Sequence, residues 1–231
     1  MGFDPVLLGA LGDIHADWAP VQQIMRRHPD VPAWICVGDL GDDRGVYERV
    51  PAPLYWIKGN NESFDAIAAG AYPPSLVHIP NGTTAVIDGV VVAGLGGTFA
   101  PTWYDADPAA LPHPRKGTMN ATALADKRRH FVRAEVEALV RTAGTDRRPD
   151  VLLTHEAPRP FRVGRMDAGK TPINELIAAL TPRLHLFGHH HRFAEQKVHG
   201  VPSICLDLAS RSYLLVDTAT WEYEKLDLVI S

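Results

Sequence analysis

Trp34-Ile35-Cys36-Val37-Gly38-Asp39-Leu40-Gly41-Asp42 decides how the rest of the chain is read. Four apolar residues followed by Gly-Asp-x-Gly-Asp predict a buried strand that stops abruptly in a turn. Open α/β sheets gather their ligands beyond the carboxyl ends of strands, so Asp39 is aimed at a site and not at bulk solvent.

Upstream, Val6 to Leu11 reads as a strand ending in Gly12-Asp13-Ile14-His15. A helix follows, with Asp17 as its cap and Pro20 near its first turn, and it runs to about Arg27. Downstream, Pro53 to Ile57 is a strand ending in Gly59-Asn60-Asn61-Glu62, and Ser63 caps a short helix through Ala69. Thr83–Asp88 and Val90–Leu95 flank Gly89 as an antiparallel hairpin. A helix is expected over Ala123–Ala143, a strand over Val151–Thr154 ending in His155, and a helix over Ile173–Leu180. Leu184 to Phe187 is a strand ending in Gly188-His189-His190-His191, and short strands fill the tail from Pro202. Strands alternating with helices give an α/β fold.

With 231 residues, no internal repeat and no linker, one domain spanning 1–231 is expected. A net charge of −4 excludes coating of nucleic acid by bulk charge, but leaves room for a local basic patch. No apolar run approaches the ~20 residues of a membrane helix, and the first residues lack the pattern of a signal peptide. Cys36 and Cys205 lie in apolar stretches and read as buried free thiols. A cytoplasmic protein without membrane partners is the expectation.

Five predicted strands thus end in Asp13 and His15, Asp39, Asn60, His155, and His189 and His191. Packing alone does not restrict strand ends to Asp, Asn and His. Carboxylate, imidazole and amide oxygen suit Mn, Fe, Zn or Mg and are unsuited to soft Cu(I). Asp-x-His and His-x-His spacings put both side chains on one side of an extended segment, where they can share an ion.

Gly12-Asp13-Ile14-His15, Gly38-Asp39-Leu40-Gly41-Asp42, Gly59-Asn60-Asn61-Glu62, Thr154-His155 and Gly188-His189-His190-His191 stand in the order found in calcineurin-like metallophosphoesterases. The chain resembles that superfamily over nearly its whole length. The resemblance implies two packed mixed β-sheets flanked by helices, a four-layer α/β/β/α sandwich, with a dinuclear metal site at the strand ends. It implies that Asp13, His15 and His191 hold one ion, that Asn60, His155 and His189 hold the other, and that Asp39 bridges them. The cofactors it implies are two divalent ions (Mn, Fe, Zn, Mg or Ni, with Mn expected in vitro). Ions about 3.5–4 Å apart bring the pKa of a shared water near neutrality and neutralise the phosphoryl oxygens, so that hydroxide attacks phosphorus in line.

One position departs from the family pattern. The third block usually reads Gly-Asn-His-Asp or Gly-Asn-His-Glu, and its histidine helps bind phosphate and protonate the leaving oxygen; here it is Asn61. An amide donates a hydrogen bond but delivers no proton, so general-acid help typically worth 10²–10⁴-fold is missing there. His190 and His130 are the candidates to replace it. Phosphodiesterases of the superfamily that also lack this histidine tilt the expectation towards diesters. A looser similarity links Ala93–Phe99, the Arg128–Leu139 helix, Leu153–Arg159 and His191-Arg192-Phe193 to the core of RNA lariat debranching enzymes, which adds nucleic acid to small molecules as a substrate class.

Thr98 to Asn120 is the least regular stretch; Trp103-Tyr104 with His113, Arg115 and Lys116 could stack a base and hold a phosphate, or the stretch is a surface loop with its aromatics tucked against the core. Arg128-Arg129 and Arg147-Arg148 read as solvated helix faces. The function expected is therefore a dinuclear metal-dependent phosphoesterase favouring diesters. The alternatives are a phosphomonoesterase or protein-phosphatase type of activity, or a non-catalytic metal-binding scaffold of the same fold.

Overall fold

The computed structural model describes residues 7–42, 44–113 and 126–228. The chain begins with β1 (Leu7–Leu11), α1 (Trp18–Arg27), β2 (Ala33–Cys36), β3 (Leu54–Trp56), α2 (Phe64–Ala69) and β4 (Leu76–His78). A hairpin of β5 (Thr83–Ile87) and β6 (Val90–Leu95) leads on to α3 (Arg133–Val140), β7 (Val151–Thr154), β8 (Arg162–Val163), β9 (Met166–Asp167) and α4 (Thr171–Leu180). The last elements are β10 (Leu184–Phe187), β11 (Ala194–Val198), β12 (Val201–Cys205), β13 (Ser212–Asp217) and β14 (Tyr223–Asp227).

Two mixed six-stranded sheets result, ordered β14-β13-β1-β2-β3-β4 and β11-β12-β10-β7-β6-β5. In the first, β1 to β4 run parallel and β13 is antiparallel to β1. In the second, β6, β7, β10 and β12 are parallel, with β5 and β11 as antiparallel edges.

Side-chain alternation sorts each parallel strand between two apolar environments. Leu8, Ala10, Ile35 and Val37 of the first sheet meet Val92, Leu153, Leu186 and Ile204 of the second. Leu11, Trp34, Cys36 and Trp56 point the other way, onto Trp18, Val21 and Ile24 at α1. On the far side Leu95 and Leu152 pack with Leu139, Ile173 and Ile177 from α3 and α4. Each fully buried aliphatic side chain contributes roughly 1.5–3 kcal/mol. Gly9 is required for this arrangement, because a Cβ there would lie 2.1 Å from the Trp34 ring.

Several elements differ from the sequence reading. The helix expected over Ala123–Ala143 is confined to Arg133–Val140, preceded by a 3₁₀ turn at Lys127–Arg129; residues up to 125 lie outside the described residues. Its missing turns are drawn off by Lys58, whose Nζ donates to the Arg128 carbonyl at 2.7 Å and the His130 carbonyl at 3.1 Å. Arg128 is no solvated helix face: it bridges Asp126 and Asp65 and lies over the Phe64 ring. Asp17 stands at the cap position of α1 without a side-chain capping bond, whereas Ser63 does cap α2. Tyr104 is buried against Phe99 and Phe131, not displayed for a base, and Arg115 and Lys116 lie outside the described residues. Cys36 and Cys205 are free and buried, as expected. Among the described residues no helix is long and apolar enough to cross a membrane.

Candidate metal centre

The parallel strands β1, β2, β3, β7 and β10 each lead straight into one of the polar blocks, and side chains from both sheets converge at one rim. Asp13 follows β1 and is buried; its Oδ2 lies 3.0 Å from His191 Nε2 and 3.9 Å from His15 Nε2. His15 and His191 face each other through Nε2 atoms 2.9 Å apart. Asp39 Oδ2 lies 3.9 Å from His15 Nε2 and 3.7 Å from His155 Nε2, between one histidine of each expected group. Asn60 Oδ1 is 2.9 Å from His155 Nε2. His189 joins through its ring, 5.0 Å from that of His155 between centroids, and its backbone N–H donates to Asp13 Oδ2 at 3.1 Å.

Two sets of donor atoms lie within 4.8 Å of one another, Asp13 with His15 and His191, and Asp13 with Asp39 and His155. By proximity Asp13 belongs to both sets, while Asp39 Oδ2 stands almost equally far from His15 and His155.

The donors fit divalent ions by their lone pairs. His155 Nδ1–H donates to the Val37 carbonyl at 2.9 Å, which turns Nε2 towards the site, with a lone pair there in the neutral ring. That lone pair faces the Asn60 amide oxygen at 2.9 Å, acceptor against acceptor. A second proton on the ring, drawn there by the Asp39 and Asp13 charges, makes this contact favourable, and so would a cation between the atoms. Donors about 2.1 Å from one ion stand roughly 3.0–3.4 Å apart; the contacts here run from 2.9 to 3.9 Å, on both sides of that spacing.

Electrostatics follow the same pattern. Burial alone would raise Asp39, but His155, the two Asn61 donors and His15 bring it below the usual carboxylate value. Burial opposes protonation of His155, yet the Asp39 and Asp13 carboxylates outweigh it and raise its pKa. His189, buried beside His155, is pushed down to about 3. Carboxylate charge is thus held among imidazoles of opposite tendency: Asp13 and Asp39 draw His155 and His191 towards protonation, while His189 is held from it.

The backbone bends to make this rim. His15, Asp39, His189 and His191 have φ of 51°, 51°, 71° and 48°, in the left-handed region that costs such residues of order 1–3 kcal/mol each. Close approach also dictates glycines: a Cβ on Gly59 would sit 1.9 Å from Asp39 Oδ1, and one on Gly188 would sit 2.3 Å from Asp13 Oδ1.

Asn61 turns both donors inward, the backbone N–H to Asp39 Oδ1 at 2.7 Å and the side-chain amide to Asp39 Oδ2 at 2.8 Å. The side chain in the place of the family's acid thus orients Asp39. His190 packs its ring on Phe161 at 4.7 Å, its Nε2 is buried without a partner, and burial pushes it down to about 4. His130 is bonded to Thr98 and is likewise pushed to about 4 by burial. Both rings are neutral near pH 7, so the geometry favours neither as a general acid.

Two groups beneath the rim escaped the sequence reading. Glu62, fully buried, accepts from Leu40 N at 2.9 Å, Gly41 N at 3.2 Å and Tyr47 Oη at 2.8 Å, tying the Asp39 turn to the Asn60 turn. Burial and the neighbouring Asp39 charge raise it to about 7. Its place as the last letter of Gly59-Asn60-Asn61-Glu62 was the available signal. Behind His155, His185 Nε2 lies 2.8 Å from Thr154 Oγ1 and His185 Nδ1 lies 3.2 Å from Ser203 Oγ, a buried chain that fixes the end of β7.

The sequence matches the family model described as calcineurin-like phosphoesterase over residues 7–193. An uncharacterized protein of Haemophilus influenzae is 25% identical over 198 residues, covering 78% of this chain and 81% of that one. A Thermus thermophilus protein of known crystal structure superposes with a TM-score of 0.66 at 16% identity, over 97% of this chain and 99% of the other. The phosphopantetheinyl hydrolase of Mycobacterium tuberculosis gives 0.55 at 13% identity, over 89% and 90% of the two chains. The structural likenesses speak for the fold, and the family match covers most of the chain. The chain belongs to the calcineurin-like phosphoesterase family.

Proposed function

We propose that the protein is a dinuclear metal-dependent phosphoesterase that acts preferentially on phosphodiesters, in a cytoplasmic setting. Asp13, His15 and His191 would hold one divalent ion, Asn60, His155 and His189 the other, and Asp39 would serve both. The observation that carries this reading is the convergence at one rim of Asp13, His15 and His191 and, beside them, of Asp39 and His155, whose Nδ1–H is committed to the Val37 carbonyl. Bound there, two such ions would lower the pKa of a water between them and neutralise charge gathering on the phosphoryl oxygens.

The chain's own residues supply orientation. Asn61 fixes both oxygens of Asp39, Glu62 fixes the turn that carries Asp39, and the Val37 carbonyl fixes the tautomer of His155. Such partners beyond the ligands typically change metal affinity or activity by 10–100-fold. With Asn61 facing Asp39 and His190 neutral, neither hands an acidic proton to the leaving oxygen. Substrates whose leaving group departs unaided, or whose leaving oxygen a bound ion would itself take up, suit this site, which favours diesters over alkyl monoesters. Hydrolysis of bis(p-nitrophenyl) phosphate and of p-nitrophenyl phosphate, each with Mn²⁺, tests the reading. Diester turnover above monoester turnover is expected; two bound ions with no turnover of either would instead leave a metal-binding scaffold.

A further inference from the structure

Between β7 and α4 the chain makes an excursion over residues 158–170 whose role the metal centre does not absorb. Its base is fixed. Asn174 is bonded to both the N–H and the carbonyl of Arg159 at 2.7 Å, and Asp167 Oδ1 accepts from Phe161 N at 2.9 Å and Gly169 N at 3.0 Å. Phe161 plugs the base onto Phe187 and onto His190, which stands between His189 and His191. Arg192, next to His191, lies over the Phe161 ring and donates to the Arg162 carbonyl. The hairpin β8–β9 is therefore an extension of the metal-centre rim.

Its tip is unpacked. Residues 162–166 are exposed, with Val163 at 40% and Met166 at 73%. The excursion carries Arg159, Arg162, Arg165 and Lys170 against the single acid Asp167, in a chain whose net charge is −4. Arg159 is committed to Asp167 at 2.9 Å. Among the described residues the guanidinium groups of Arg162 and Arg165 have no acidic partner.

We infer that this hairpin binds the flanking phosphates of a single-stranded oligonucleotide whose scissile phosphate occupies the metal centre. The inference rests on the phosphodiesterase reading above and narrows its substrate class. Guanidinium forks match phosphate oxygens, and unneutralised arginines on an otherwise acidic molecule steer a polyanion to one edge. The exposed Met166 thioether and Val163 offer soft apolar contact to a base face. Contact between a base face and Val163 or Met166 requires an unpaired base, so the occupant is a single strand and not a duplex.

The test is fluorescence anisotropy with a hydrolysis-resistant phosphorothioate oligothymidylate, using the full chain loaded with Mn²⁺, across a salt series. Two phosphate contacts of about 0.7 each predict that R162Q/R165Q flattens the slope of log K against log salt by about 1.4 and weakens binding about tenfold at ~0.15 M salt. R162K/R165K should keep the slope, and equal melting temperatures confirm that the variants are folded. An unchanged slope in R162Q/R165Q overturns the inference. So does a wild-type chain that binds phosphatidylserine vesicles and ignores the oligonucleotide. Failure of the phosphodiesterase reading is seen separately, as absence of aryl-diester turnover by the unmodified chain.

Discussion

Asn61 grips Asp39 by both carboxylate oxygens, with the backbone N–H on Oδ1 at 2.7 Å and the side-chain amide on Oδ2 at 2.8 Å. The residue that replaces the family's histidine has become a brace for the expected bridging ligand. It follows that the rate should depend steeply on leaving-group basicity in the wild type. Asn61→His should make the plot of log rate against leaving-group pKa shallower, improving poor substrates most, and should loosen metal binding by 10–100-fold as the brace is lost. A flat wild-type plot would show that another donor already supplies the proton.

Removing and restoring the ions should move stability as well as activity. Each ion at a hundred times its dissociation constant stabilises by about 2.7 kcal/mol, and a chain of this size gains roughly 2–4 °C in Tm per kcal/mol. Two ions should therefore raise Tm by roughly 10–20 °C over the chelated protein in differential scanning fluorimetry. Asp39→Ala should abolish most of that rise and retain neither ion by metal analysis. Two ions retained by that variant would refute the bridging role of Asp39.

Gly59→Ala tests how tightly the third and second blocks are meshed. The added Cβ would lie 1.9 Å from Asp39 Oδ1 and 2.3 Å from Asp39 N, so the two turns must part. Overpacking of this kind costs about 1–3 kcal/mol, seen as a lower urea midpoint, and diester turnover should fall at least tenfold. Gly70→Ala is the contrast, since no atom lies within 4 Å of a Cβ there; its left-handed φ of 62° still costs stability while turnover persists.

His185 gives the protein an acid limit. Burial pushes its pKa down to about 3, whereas an unfolded histidine titrates near 6.5. Below pH 6.5 the unfolded chain takes up a proton that the folded chain refuses, so stability is full above that pH. It is then lost towards pH 3 at up to about 1.4 kcal/mol per unit from this one group. His185→Gln, whose amide can still meet Thr154 and Ser203, should flatten the pH dependence of urea-derived stability by one proton. Parallel curves for the two proteins would assign the acid loss to other groups.

What could be seen in the sequence follows from range. Apolar runs and their polar endings are local, so β1, β2, β3, β7 and β10 and the residues at their ends were legible. The three-residue β4 follows Pro73-Pro74-Ser75 and is too short to show a period. The hairpin Arg162–Val163 with Met166–Asp167 buries none of its side chains, so no alternation marks it. The helix at 123–143 was overextended because capture of its carbonyls by Lys58 comes from seventy residues away. At the centre, residue types were readable and orientation was not. That Asn61 faces Asp39, or that His185 pairs with Ser203 across β10 and β12, depends on how distant strands are registered.

The donors are divided between the halves of the sandwich, Asp13, His15, Asp39 and Asn60 hanging from one sheet and His155, His189 and His191 from the other. Away from the rim the sheets meet through aliphatic side chains that can slide a little without losing contact. At the rim they meet through directional groups that tolerate almost no slippage. The centre is thus a clasp as well as a workplace. With ions bound there, the two leaves would resist being prised apart along that edge, and opening would begin at the opposite one. A force-probe or proteolysis experiment would then find the chain yielding from different edges before and after chelation, although its fold is the same.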